Sequence, residues 1–500
     1  MQRWAKIALH LPEEAYRSSI LSLEILRMLA GSARGLVALV PLVVLGILRR
    51  REIASAWGEF ESARGVRALI LVLLVWATWA GVTLDHNLFY DQSYDVDRLV
   101  LFALTGLAIW RPAFVLPHVF LFIAIEHQFD YPFGRQIFAR TILEDLLLLF
   151  GASVLVGGIT RRRDARTFLF AASVLLASYY WYPGWVKLTH GWFSYGRLYL
   201  GGFASYANGW LGSFSVEHVE RLLRLGALLD WPGRAITLLT ELGALAFFVH
   251  RKVPRVLLAA WAILHIGIWV FSGISFLVWV GVDLAFLSLL FFRLDRCPDF
   301  FSPRFALLGA ILMISSPLWV GPPAVGWFDT QLVYTYRYQA LDDRGELTAF
   351  PADATPLGEA WCARDFPFLI ERKALLVRYG KTNDRDLADR VSALDGNAAS
   401  VFALEEEYGR VYFDEAQGRE FDHFLGTTAA HWNRRGTQTH LLSFAAPPRT
   451  CLSPRSPPEP VIAPGRAARR IVVHQLTFLF DGRTFREIRR TPVRTIDVPS

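Results

Sequence analysis

The sequence predicts a polytopic α-helical membrane domain of about nine to ten spans followed by a mostly β domain outside the membrane. Three observations carry this. Hydrophobic residues make up 53% of the 500 positions and the mean hydropathy is +0.31, too apolar for a soluble chain of this size. The apolar residues cluster before about position 325, and the remainder is mixed, charged and proline-bearing. The boundary falls between Pro322 and Phe328, giving a transmembrane domain over 20–325 and a tail domain over 328–500. Residues 1–19 read as an amphipathic or loose leader, because they lack the unbroken apolar core of a signal peptide and carry Glu13 and Glu14.

Apolar runs of helical composition fall at 20–48, 66–84, 98–110, 113–126, 138–158, 166–186, 235–250, 254–273, 275–293 and 305–324. The third and fourth are short for a hydrocarbon core of roughly 30 Å and meet at Arg111-Pro112, so one kinked span is the alternative. Loop charge favours two. With Arg49-Arg50-Arg51, Arg111, Arg161-Arg162-Arg163, Arg251-Lys252 and Arg293/Arg296 all cytoplasmic, the acidic 85–97 segment and the tail lie outside. The same arrangement places His127, Lys187 and the tail on one side. The formal charge of +7 sits largely in these arginine clusters, which signal topology and argue against nucleic-acid binding.

In the tail, residues 332–338 alternate like a strand and run into an Asp342-Asp343-Arg344-Gly345 turn. The 471–498 segment repeats the style around Asp481-Gly482, and helices are expected over 385–394 and 401–408. The three cysteines form no CxxC. Cys362 and Cys451 share the tail, where a disulfide would suit an oxidising compartment, and two unrelated thiols are the alternative. No Asn-x-Ser/Thr sequon occurs, in keeping with a bacterial-type envelope and an inner-membrane location. No histidine pair has a tight metal spacing. Glu24, Glu144, Asp145, Glu241 and Asp283 fall within apolar segments, where acids are either functional or matched by interhelical partners.

The densest chemistry lies in Tyr180-Trp181-Tyr182-Pro183-Gly184-Trp185-Val186-Lys187-Leu188-Thr189-His190-Gly191-Trp192. Lys187 is one of only five lysines in a chain that otherwise uses arginine. Burial of a primary amine among aromatic rings favours its neutral form, which can take a proton, as a guanidinium cannot. The alternative is a lysine snorkelling to headgroups. Tyr180, Gly184 and Lys187 fall on one helical face at i, i+4 and i+7. Gly184 would let a flat ring approach the backbone, and Pro183 would bend the helix.

The series Tyr180, Gly184, Lys187, Leu188, Trp192 resembles the signature of the vitamin K-dependent gamma-carboxylase and its bacterial relatives, the HTTM (horizontally transferred transmembrane) domain proteins. Downstream, Glu241, His250-Arg251-Lys252, Leu264-His265-Ile266-Gly267 and 273–277 resemble the family's later segments, and Glu126-His127 lies where it carries an asparagine-histidine pair. The resemblance covers about 20–300 and, more weakly, the tail. Pro183, Glu126 and the 66–84 span depart from the pattern.

The resemblance implies Lys187 as catalytic base, with His127 as a second catalytic group. It also implies a reduced vitamin K-type naphthoquinone (menaquinol- or phylloquinol-like) near Tyr180, Gly184, Trp192 and His265, with O2 and CO2 as co-substrates. From its own position on an apolar helix, His265 reads as a helix-packing polar residue. The implied reaction couples quinol oxygenation to proton abstraction and carboxylation of a glutamyl-type substrate, a peptide or protein held by the tail, with the lipid bilayer as the other partner. Two other classes stay open: a non-catalytic lipid- or quinone-binding or peptide-maturation protein, and a transporter using the buried acids.

Overall fold

The computed structural model describes residues 11–31, 57, 64–83, 88–127, 131, 141–160, 165–211, 214–292, 299–350, 366–375, 380–435, 445, 462 and 466–499. Cys297, Cys362 and Cys451 lie outside these, as do the arginine clusters at 49–51, 161–163 and 293/296. The chain is mostly helical with a β-sheet region at its C-terminal end. Among the described residues, three helical segments are long and apolar enough to cross a membrane: Gly65–Thr83, Thr141–Gly158 and Val253–Ser272.

The first part is a helical body. Helix α1 (Leu21–Gly31) starts against Asp97, whose carboxylate accepts the backbone N–H groups of Leu21 and Ser22, both at 2.7 Å. A distant carboxylate thus serves as the cap that local sequence does not supply. Helices α2 (Arg64–Thr83), α3 (Asp95–Trp110), α4 (Val115–Glu126) and α5 (Thr141–Thr160) pack together, and α4 packs on α1. The residues 98–126 form two helices, α3 and α4, broken at Arg111-Pro112. Thr105 of α3 and His118 of α4 both reach the Thr78 hydroxyl, at 2.6 and 2.9 Å.

Helix α6 (Ala165–Thr189) is the central element and runs through Pro183 as one helix. Beyond it, residues 192–228 hold none of the expected spans. The structure forms a short Trp192–Tyr195 turn of helix, then α7 (Tyr199–Ala207) and α8 (Val216–Leu228). The expected 235–250 span is instead α9 (Asp230–Leu242), which gives way to a 3-10 turn at Gly243–Ala246. Helix α10 (Val253–Ser272) stops at Gly273, whose φ of 71° suits glycine. Helix α11 (Leu277–Phe286) continues into a π-helical turn at Leu287–Phe291. Helix α12 (Pro303–Ile314) ends before Pro317, which lacks the N–H needed to continue.

The tail holds an antiparallel sheet in the order β3-β2-β5-β6, built from β2 (Leu332–Asp342), β3 (Leu347–Ala349), β5 (Ala468–Phe480) and β6 (Phe485–Asp497). Both expected hairpins are present. A smaller pair joins β1 (Phe328–Asp329) to β4 (Lys381–Thr382). Period-two alternation splits the sheet into two apolar faces. Val333, Leu476, Phe478 and Phe480 pack on Leu200, Phe203, Val219 and Leu223 of α7 and α8. Leu332, Tyr334 and Leu479 pack on Ile370, Val391 and Val401.

The tail is therefore less purely β than its sequence suggested. Besides α13 (Arg385–Ser392) and α14 (Ala398–Tyr408), it carries the 21-residue α15 (Glu415–Arg435). Helix α15 reaches the 85–97 segment through Phe424 on Phe89 (5.2 Å between centroids) and Arg435 on Asp91 (3.0 Å). That segment and the tail thus share one end of the helical body.

Glu405 ties α14 into the sheet. It is 3% exposed and accepts from Arg372 (2.9 Å), Tyr334 (2.7 Å) and Arg489 (2.7 Å). Replacing it with alanine leaves two guanidinium groups without their shared acceptor, so Glu405→Ala is expected to cost about 3 kcal/mol. Denaturant unfolding followed by limited proteolysis of the tail measures this. A variant as resistant as wild type would show that the network holds nothing together.

Candidate functional site

Two clusters line one face of α6, centred on Tyr180 and Lys187, about two helical turns apart. In the deeper one, the Tyr180 ring stacks on Trp261 of α10 at 3.8 Å and 6°. Its hydroxyl donates to Asp283 of α11 at 2.6 Å, and His265 Nδ1 lies 3.2 Å from the same oxygen. His265 itself stacks on Phe276. One residue back, Tyr179 turns the other way and donates to Asp145 of α5 at 2.6 Å. Successive tyrosines thus bridge α6 to two different helices, and each hydroxyl satisfies a buried acid.

Nearer the tail, the Lys187 amine donates to Glu241 of α9 and lies 5.7 Å from the centre of the Trp192 ring. The two side chains are 12% and 8% exposed, so Lys187 is held inside and does not snorkel. The pair is neutral overall whether written as ammonium with carboxylate or as amine with carboxylic acid. Gly184, one turn before, allows it. A Cβ there would lie 2.8 Å from Glu241 Cβ and 3.2 Å from the Leu242 nitrogen, so a side chain would push α9 away and take Glu241 with it. Trp192 is placed by Gly191, whose φ of 75° reverses the chain after α6.

The face read from the i, i+4, i+7 spacing is thus occupied by protein. Gly184 serves helix packing and leaves no room for a flat ring. Tyr180 has Trp261 on its face and Trp279 at its edge (5.9 Å, 83°). Tyr180, Gly184 and His265 therefore do not present an open face on which a naphthoquinone could lie as a planar ring. His127 is buried at the end of α4, which packs on α2, α3 and α5.

Just beyond Trp192 is a cavity of about 320 Å³ lined by Tyr195, Arg197, Tyr199, Asp230, Arg234 and Asp329, among others. Arg234 pairs with Asp230 at 2.9 Å and donates to the Phe193 carbonyl. On the tail wall, Asp329 faces Lys381 at 3.5 Å, and that ammonium lies 4.3 Å from the Trp327 ring centre. Burial pushes the Asp329 carboxyl up to about 6, an effect Lys381 partly offsets. Lys381 and Asp329 were not singled out in the sequence. The available signal was the scarcity of lysine.

Comparison with family models, with curated proteins and with solved structures returns no match. The site therefore has to be read from its own geometry.

The raised carboxyl of Asp329 fixes the sign of a pH effect. The native state holds a proton there that the unfolded chain releases near pH 4, so this group favours folding at low pH and loses that contribution as pH rises through about 6. Asp329→Asn is expected to flatten the stability profile between about pH 4 and 6, measured by thermal unfolding across that range. An unchanged slope would remove Asp329 as its source.

Proposed function

We propose that the chain is a membrane-embedded enzyme of the vitamin K-dependent gamma-carboxylase-like kind, in which Lys187 takes a proton from a quinol hydroxyl, the carbon beside a glutamyl carboxylate being too weakly acidic for an amine to deprotonate. The observation that carries the reading is the Lys187 amine held inside the protein against Glu241, with Trp192 over it and a polar cavity beyond. The reactive form is that pair less one proton, a neutral amine beside the carboxylate. Protonation then makes an ammonium that Glu241 stabilises across a site from which water is largely excluded. A lysine suits this work and an arginine does not.

The reading includes a quinol, O2 and CO2, and a glutamyl-type substrate met by the tail. The amine supports it, and Tyr180, Gly184 and His265 do not support its cofactor part. A bacterial inner-membrane location with the tail outside the cytoplasm belongs to the same proposal. It is supported by the three long apolar helices and by Arg111, Arg166 and Arg251 standing at the opposite end of the body from the tail.

One observation favours a non-catalytic protein instead: a buried ion pair can serve helix packing alone. A transporter is less well supported, because Asp145 and Asp283 already accept tyrosine hydroxyls.

Lys187→Arg separates these readings. It keeps the charge and a partner for Glu241, so it is expected to fold, yet to lose at least about a hundredfold in turnover. Lys187→Ala should be equally inactive and partly restored by a small added amine. The assay is quinol-dependent oxygen uptake together with CO2 incorporation into a glutamyl peptide. An arginine variant as active as wild type would reject Lys187 as base, and wild-type protein with neither activity would favour the binding reading.

A further inference from the structure

Helix α8 (Val216–Leu228) is strongly amphipathic, and its sides meet different surroundings. Val219 and Leu223 are buried against the sheet and α7. The polar side is fastened to the β5–β6 hairpin, where Glu220 accepts the Phe485 N–H at 2.9 Å and Arg224 donates to the Arg483 carbonyl at 3.1 Å. The third side bears Leu222, Leu225 and Leu229 at i, i+3 and i+7, flanked by Leu228. All four are exposed, Leu228 at 79%. Trp231 follows at the start of α9, also exposed.

We infer that this leucine side of α8 lies in the lipid surface, as an in-plane interfacial helix at the tail end of the body. The inference rests on the membrane reading proposed above. Its own support is continuity with the apolar belt of the neighbouring span. A Cβ on Gly226 would lie 3.4 Å from Phe271, so α8 sits against the last turn of α10. Helix α10 is one of the three helices fit to cross a membrane, and it presents Val256, Ile263 and Val270 to the outside. The leucine row begins where that belt ends.

The chemistry of α8 matches that position. An in-plane helix needs an apolar side, a polar side and charge at the boundary, and here Glu220 and Arg224 lie away from the leucines, while exposed His218 and Arg221 stand among them, at i, i+4 spacing to Leu222 and Leu225, where their polar ends can reach headgroups. Trp231 and Phe193, 5.9 Å apart, put an indole at the same level, where a ring with one polar edge is favoured. Because α8 also packs on the sheet, lipid contact there fixes the tail, and the cavity at Asp329, at a set height above the bilayer.

The test uses full-length protein in nanodiscs, with an environment-sensitive fluorescent amino acid replacing Leu225 or Leu228. Ile263 on α10 serves as the membrane control and exposed Val411 of the tail as the water control. Lipids carrying a quencher at a shallow or a deep acyl position are compared with aqueous iodide. Positions 225 and 228 are expected to lose fluorescence with the shallow quencher more than with the deep one, and to resist iodide. Position 263 should respond most to the deep quencher and position 411 to iodide alone. If 225 and 228 behave like 411 while 263 is quenched from lipid, the interfacial helix is rejected and the membrane reading stands. If 263 also behaves like 411, the membrane reading itself fails. Protection of 225 and 228 from lipid and iodide alike would mean that protein covers the row, which also overturns the inference.

Discussion

The close approach of α6 and α9 at Gly184 is the constraint on which the candidate site depends. With no side chain at that position, Glu241 comes within reach of Lys187, one turn further along α6. The contact fixes two things together: the packing of two helices and the partner of the amine. A buried lysine without a carboxylate would carry a large desolvation cost, and a buried glutamate likewise. Each answers the other, and Trp192 closes the pair from the tail side.

The tail is not simply appended to this body. Residues 199–228, which precede α9, cover one face of the tail sheet, and Asn208 accepts the Thr335 hydroxyl at 2.7 Å while the Ala207 carbonyl accepts from Arg337 at 2.7 Å. The chain leaves the helical body after Lys187, builds part of the outer layer and returns through Asp230 and Arg234. The cavity lies at that crossing, with walls from both parts. A substrate held there would meet the Trp192 turn directly below it.

Much of this was legible in the sequence. The strands around Asp342–Gly345 and Asp481-Gly482 followed from alternation and turn residues, and the break at Arg111-Pro112 from a proline after a charge. The Tyr180, Gly184, Lys187 face followed from helical spacing. What the spacing could not say was what the face meets. Gly184 reads equally as room for a ligand or for a helix, and only the position of α9 decides. Helix α15 was missed although Phe421, Phe424, Leu425, Thr428 and Trp432 recur at helical intervals, because Gly418, Gly426 and two threonines weaken its propensity. The 192–228 segment was missed because α7 and α8 gain their stability from a sheet more than a hundred residues away in sequence.

The central claim is that the Lys187 amine is held inside the protein by Glu241. With only five lysines in the chain, side-chain nitrogen labelling of lysine followed by NMR can resolve it, the Lys187 signal being assigned by its loss in Lys187→Met. The account predicts a signal distinct from those of exposed lysines, slow in exchange with water and displaced by Glu241→Gln. A Lys187 signal that exchanges as an exposed lysine does and is unmoved by Glu241→Gln would contradict it.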